Sequence, residues 1–299
     1  MELRQLEYFL AVYEERSFTA AAGRVNVVQS AVSASVAALE RELGAALFDR
    51  STRRVVPTEV GVEFAARART VQQAVESAVD GVAAVTAGLR GTVRVGLMHA
   101  LLSTPVASAI AEFRRAHPEV MLRPRTDPDG AAGLLRGVRD GDLDVAVAAY
   151  DPGITHPGVS VRELCREEIV LVCPTGHRLA TRRRVRLSEV TGDPFVDVPS
   201  TWGSRAATDR LFHLQGLTRQ VDLEVNDVAT VVDLVRAGCG MALIAPSSAG
   251  SLDGVAVVRM SPAPVFTVGL VLPADRGPRR AALRLAELVL ETVDGPTTR

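Results

Sequence analysis

Apolar residues in the first fifty positions recur at helical spacing. Leu6, Phe9, Leu10 and Tyr13 share one face of a helix predicted over residues 3–15. Ala20, Ala21 and Ala22 follow as a small-residue stretch suited to a helix closely crossed by its neighbour. Ser17 and Thr19 are candidate N-caps, and Val25 plugs the turn. Val32, Val36, Leu39 and Leu43 then recur at spacings of four, three and four, the buried stripe of a second helix that Gly44 ends. Gln29, Ser30, Ser33 and Ala34 lie off that stripe, near the helix start. Two helices joined by a tight turn, the second opening on short polar side chains, predict a helix-turn-helix able to place base-contacting residues in a major groove. The same pattern fits an αα-hairpin in a plain helical core.

The next residues separate these readings. Arg50, Arg53 and Arg54 surround a short Ser-Thr turn, and Val55 with Val56 predicts the return strand of a small hairpin, a wing. Arginines on such a turn are placed to meet phosphates or a minor groove. Thr58 is a candidate N-cap for a new helix, with Glu59 and Glu63 near its positive end. Phe64, Ala68, Val71, Val75, Ala78, Val82 and Val85 alternate steps of four and three, a heptad seam on a helix on the order of 40 Å long at roughly 1.5 Å per residue. The simplest cover for it is the same helix of a second copy, giving a two-fold dimer. Packing on the chain's own downstream domain is the other reading. Gly88, Leu89, Arg90 and Gly91 end the helix as a flexible joint. The expected division is a DNA-binding domain over residues 1–58, a linker and dimerisation helix over 59–90, and a further domain over 91–299.

Beyond Gly91 strands and helices alternate. Strands are predicted over 92–98, 120–125, 143–150, 159–173, 195–198, 221–225, 241–246 and 265–273. Helices are predicted from Thr104-Pro105 to His117-Pro118, and near 131–139, 204–215, 228–238 and 278–293. Short connections between alternating elements predict parallel sheets. The strand count and the Pro/Gly-rich break at 151–158 predict two lobes, one of about 91–158 and 266–299, the other of about 159–265. In such lobes ligands lie at the C-terminal strand ends, facing helix N-termini. The candidates there are Met98, His99 and Ala100 with Ser103 and Thr104; Ser200, Thr201 and Trp202; and Asn226. Hydroxyls and amides at helix starts favour an anion, so a small organic acid is expected. Trp202 suits an apolar or aromatic portion, and the adjoining Asp227 disfavours a bulky anion.

Composition narrows the class. At 299 residues and 47% hydrophobic the chain can build two or more cores, and at 4% aromatic they must be mostly Val, Leu and Ala. A net charge of −1 gives no overall field toward nucleic acid, so any such contact must be local. The start MELRQLEYFL lacks the basic end and apolar run of a signal peptide, and no apolar run reaches the roughly 18 residues of a membrane span. Cys165, Cys173 and Cys239 contain no CxxC pair, which fits a reducing, cytoplasmic setting. Both Cys165 and Cys173 fall on predicted strands, whereas a thiol sensor wants two cysteines on mobile segments. The histidines are scattered without metal-ligand spacing, no Gly-rich phosphate loop occurs, and no nucleophile and base stand together. No metal, no cofactor and no catalysis are expected.

The segments LRQLEYFLAVYEERSFTAAAGRV and QSAVSASVAALERELGAALFDRSTRRVVPTEVG, the linker helix after them, and GDLDVAVAAY and VVDLVRAGCGMALIAP resemble the LysR-type transcriptional regulators over essentially the whole chain. The resemblance implies an α+β multidomain fold: an N-terminal winged helix-turn-helix, a long linker helix, and a C-terminal two-lobed α/β periplasmic-binding-protein-like effector domain, commonly in tetramers. It places Gln29 and Ser33 at DNA-contacting positions of the recognition helix, and Arg50, Arg53 and Arg54 in the wing. Two positions depart from the family pattern: Val28, where a Ser or Thr commonly caps, and Ala34, where a basic or long polar residue is common. The expected protein is a sequence-specific regulator whose partners are operator DNA, a small-molecule effector and further copies of itself. A small-molecule receptor without a DNA role is the alternative, and it would need an export signal.

Overall fold

Burial at helical spacing winds the N-terminal segment into α1 (Leu3–Glu15), α2 (Phe18–Arg24) and α3 (Gln29–Leu43). The computed structural model describes residues 1–49, 55–87, 89–98, 106–275 and 277–294, with side chains throughout except at 76, 77, 80–87 and 294. The chain divides into two compact units, Met1–Gly88 with Asp140–Asp142, and Leu89–Arg139 with Leu143–Arg299.

In the first unit the three helices enclose Phe9, whose ring lies 5.4 Å from Phe48 and 5.0 Å from Phe64. Val32, Val36 and Leu39 are fully buried, each contributing about 1.5–3 kcal/mol relative to exposure. Leu43, expected to complete that stripe, is 39% exposed, because the last turn of α3 runs beyond the core before ending at Gly44 in the left-handed conformation. Of the three alanines of α2 only Ala21 and Ala22 are buried and Ala20 faces outward, since successive helical residues point about 100° apart and three in a row cannot meet one neighbour. The Ser17 hydroxyl caps α2 by accepting the Ala20 N–H.

Strand β1 (Phe48–Asp49) pairs antiparallel with β2 (Val56–Pro57), and α4 (Glu59–Ala87) follows. The Thr58 hydroxyl donates to the Ala46 carbonyl at 2.7 Å and accepts the Gly61 N–H at 3.0 Å, tying the base of the hairpin to the start of α4. A Cβ at Gly61 would stand 2.1 Å from the Leu47 carbonyl oxygen, so only glycine permits this approach. Along the α4 seam Phe64 and Ala68 belong to this core, Val71 and Val75 are each 39% exposed, and Ala78 is exposed. The side chains of Val82 and Val85 lie outside the described residues, as does Gly88 in the expected joint.

The second unit runs β3 (Gly91–Leu97), α5 (Val106–Ala116), β4 (Val120–Arg125), α6 (Gly130–Asp140), β5 (Val145–Ala149) and β6 (Val159–Glu168). It continues with β7 (Val170–Pro174), β8 (Arg184–Arg186), β9 (Pro194–Asp197), α7 (Gly203–Leu214), β10 (Gln220–Glu224) and α8 (Val228–Arg236). It closes with β11 (Ala242–Ile244), β12 (Val255–Ser261), β13 (Val265–Pro273) and α9 (Arg280–Asp294). Five strands form one sheet in the order β4-β3-β5-β13-β6, and four form another in the order β11-β7-β12-β8. The parallel pair β9 and β10 adjoins the second sheet through a bridge between Phe195 and Met241.

The expectation of parallel sheets is corrected. In the first sheet β3 runs parallel to β4 and β5, but β13 is antiparallel to β5 and β6; in the second only β12 and β8 are parallel. The cause is the crossing between sheets. Strand β6 ends one residue before β7 begins, and β12 leads into β13, so each passes its neighbour in the opposite sheet without a helical crossover. Strand β6, expected in the second lobe, therefore lies in the first sheet. The Ile169 N–H donating to the Pro264 carbonyl at 2.8 Å holds the two crossings together.

Buried charges fasten each sheet locally. Asp144 accepts the Arg94 N–H at 2.7 Å and faces the Arg279 guanidinium at 3.4 Å. Asp197 faces Arg219 at 2.5 Å, and that guanidinium lies over the rings of Phe195 and Phe212. Burial raises the Asp197 pKa, while Arg219 and Arg205 act in the other direction.

Candidate functional site

The helix α3 presents its first turn to solvent. Gln29, Ser30 and Ala34 are exposed, whereas Ser33 is half-buried beside the stripe of Val32 and Val36. The N-cap is Val28, extended at φ −76 and ψ 145 and 68% exposed. Valine has no acceptor to offer the first-turn N–H groups, so they face outward beside Gln29 and Ser30. Glu40, a residue the sequence did not single out, accepts the backbone N–H of Leu47 at 2.9 Å and of Phe48 at 3.2 Å, and so fixes β1 against α3. Its signal is faint: an acidic residue one position past the buried Leu39. Arg50, Arg53 and Arg54 lie outside the described residues, between the paired strands β1 and β2.

In the α/β unit a cavity of about 40 Å³ sits at the C-terminal end of β5, with Ala149, Met98, Trp202, Val228 and Phe266 as apolar walls and Ser204 and Ser248 as polar ones. The first residues of three helices, Gly130, Gly203 and Val228, all reach it. A Cβ at Gly203 would lie 2.2 Å from the Ala149 Cβ, so glycine lets α7 begin directly against the strand end. The helix starts differ electrostatically. Asp227 caps α8, its carboxylate accepting the Thr230 N–H at 2.8 Å and the Thr230 hydroxyl at 2.7 Å, and these bonds hold the carboxyl below its ordinary range. The N-cap of α7 is Trp202, whose indole is a donor only, so no N-cap oxygen occupies the positive end of that helix.

Of the residues expected around an effector, Met98 and Trp202 line this cavity, and Thr201 lines a larger cleft beside it. Ser200 and Asn226 are exposed and line neither, because each stands outside the helix start that it precedes. His99, Ala100, Ser103 and Thr104 lie outside the described residues. Ala149, Val228, Ser248 and Phe266 were not expected; small and apolar, they become wall residues only through the fold. Cys173 is buried and Cys165 half-buried on adjoining strands, and burial raises both thiols; Cys239 is exposed. Among the described residues no three His, Cys, Asp or Glu side chains are placed to hold a metal ion, and no helix is long and apolar enough to cross a membrane.

Residues 3–62 match the family model of the bacterial regulatory helix-turn-helix proteins of the lysR family, and residues 86–294 match that of the LysR substrate binding domain. The chain is 30% identical to the transcriptional dual regulator GltC of Bacillus subtilis over 97% of both chains. Full-length OxyR from Pseudomonas aeruginosa has the same fold, with a TM-score of 0.74 at 23% identity over 97% of this chain and 98% of that one. Full-length CbnR complexed with its target DNA aligns with a TM-score of 0.62 at 21% identity, covering 98% of this chain and all of the other (100%). With a three-helix unit and hairpin under the first family model and an α/β unit with its helix-ringed cavity under the second, the chain belongs to the LysR family, as a DNA-binding transcriptional regulator with an effector-binding domain.

Proposed function

We propose that the α/β unit senses a small organic acid held in the cavity at the start of α7, and that the helical unit reads operator DNA with Gln29, Ser30 and Ser33. The observation that carries the effector reading is the start of α7, which meets an apolar cavity with no N-cap oxygen. An acid's carboxylate complements that helix end, and its carbon frame the Trp202 and Phe266 walls. Arg50, Arg53 and Arg54 of the wing take the phosphate or minor-groove contacts, and the outward N–H groups of α3 suit a phosphate oxygen. Met98, Trp202 and Thr201, with His99, Ala100, Ser103 and Thr104, contribute to the effector site.

The division proposed is a DNA-binding domain over 1–58, a linker helix over 59–90 and an effector domain over 91–299. The linker seam joins two copies, and two dimers form the tetramer. The protein acts in the cytoplasm, through binding equilibria and not catalysis. The DNA-bound form of CbnR, of the same fold, lends support to a duplex as partner. Effector binding shifts the lobes between arrangements, and with them the spacing of recognition helices and the bend of the DNA.

The test uses the full chain and the DNA upstream of its own gene. Retardation that weakens steeply as salt rises is expected, with Gln29→Ala losing discrimination between operator and random duplex. Titrated carboxylates are expected to change the fluorescence of Trp202, and their amides are not. No retardation of any neighbouring intergenic DNA sinks the operator reading; silence of Trp202 across a wide set of acids sinks the cavity.

A further inference from the structure

We propose that the larger cleft beside α7 is a second ligand site, separate from the effector cavity, for a monocarboxylate with an apolar body. The cleft measures about 550 Å³, the size of a small organic ligand, and shares Ala131, Ala149, Gly203 and Phe266 with the small cavity as a common wall. Its charged lining consists of Asp151, Arg166 and Arg210. Arg210 is ion-paired with Asp151, which leaves Arg166 as the unneutralised charge. Arg166 stands on β6 opposite Thr267, with no ion pair or hydrogen bond to a side chain among the described residues. A lone exposed guanidinium at the edge of a cleft selects one carboxylate in bidentate geometry.

A second polar group points the same way. The Nε2 of His156 is buried without a hydrogen-bond partner, and its ring meets Tyr150 edge-on at a centroid distance of 6.4 Å. Buried polar atoms are ordinarily paired, so an unpaired one in the wall of a cleft is where a ligand oxygen or its bound water is missing. The rest of the lining is apolar and exposed: Leu214 is 66% and Ile154 54% accessible, with Leu211 and Pro264 beside them. Covering these side chains is favourable by the hydrophobic effect, which asks for an aromatic or aliphatic body. A multiply charged phosphate is disfavoured, since only one guanidinium faces it and Asp151 lies close by.

The test is calorimetric titration of the full chain with phenylacetate and with phenylacetamide, its neutral counterpart. Phenylacetate is expected to bind, and the amide at least about tenfold more weakly. Arg166→Gln is expected to weaken phenylacetate about tenfold to a hundredfold, the effect of one charge-assisted pair. Leu214→Asp, at the far apolar end, is expected to weaken it as well; both positions are exposed, so both variants keep the fold. Binding undiminished in Arg166→Gln, equal binding of the amide, or no heat at millimolar phenylacetate overturns the proposal. Binding that survives Arg166→Gln but is lost in Val228→Glu places the ligand in the smaller cavity, which overturns the second site while leaving the effector reading standing.

Discussion

Glu40 shows how one side chain can organise a reading head without touching DNA. Its carboxylate takes the N–H groups of Leu47 and Phe48, the residues that carry the chain from α3 into the hairpin. Removing it leaves two backbone donors short of a charged acceptor, so Glu40→Ala is expected to lower stability by about 1.5–3 kcal/mol, measured by denaturant unfolding. A loss below a few tenths of a kcal/mol would mean that water replaces the carboxylate without penalty. Val28 is the converse case, a cap position with no acceptor. Val28→Thr is expected to stabilise the helical unit by about 1 kcal/mol in the same assay, and no gain would show those N–H groups already satisfied. Asp227 supplies a pH signature. Its bonds to Thr230 favour the ionised carboxyl in the folded state, so its contribution is full above the ordinary carboxylate range and is lost as pH falls through the lowered value. Asp227→Asn keeps an acceptor but cannot titrate, so its midpoint temperature is expected to fall less than the wild type's on acidification. Identical acid profiles would remove Asp227 from the account.

The elements differ in how plainly the sequence announces them. Strand β13 is predicted at its observed bounds, 265–273, because an apolar run ended by proline has few other readings. Strand β8 has three residues, too few for a period to register, and β12 mixes a valine run with Arg259 on the open face of its sheet. Alternation of helix and strand says nothing of β6 passing from one sheet toward the next, which is why parallel pairing was expected where β13 runs antiparallel. Polar residues at helix starts drew attention to Ser200 and Asn226, yet the cavity is walled by Ala149 and Phe266, whose side chains carry no chemical mark. The α4 seam was legible as a repeat, and the structure leaves Val71 and Val75 partly exposed on it. A second helix covering that seam would bury both. Val75→Glu is therefore expected to shift the chain from dimer toward monomer, by about 2 kcal/mol or more per dimer, in sedimentation equilibrium. An unchanged mass would assign the seam to something other than self-association.

At the scale of the whole molecule the two units carry separate cores. One is built on Phe9, Val36, Leu39 and Phe48, the other on the two sheets with Phe113, Phe195 and Leu285. Each core closes within its own unit, so each can lose its packing without the other, and heating is expected to give two transitions in place of one. The single tryptophan, Trp202, belongs to the α/β unit and reports that transition alone, while calorimetry reports both. A ligand that binds only the folded α/β unit stabilises it by about 2.7 kcal/mol at a hundred times its Kd, and it has no means of stabilising the helical unit directly. An effector acid is therefore expected to raise the Trp202 transition and leave the other in place, whereas operator duplex raises the other and leaves Trp202 in place. If the acid instead moves both transitions together, the two cores unfold as one, and effector binding in that case reaches the DNA-reading helices through folding itself.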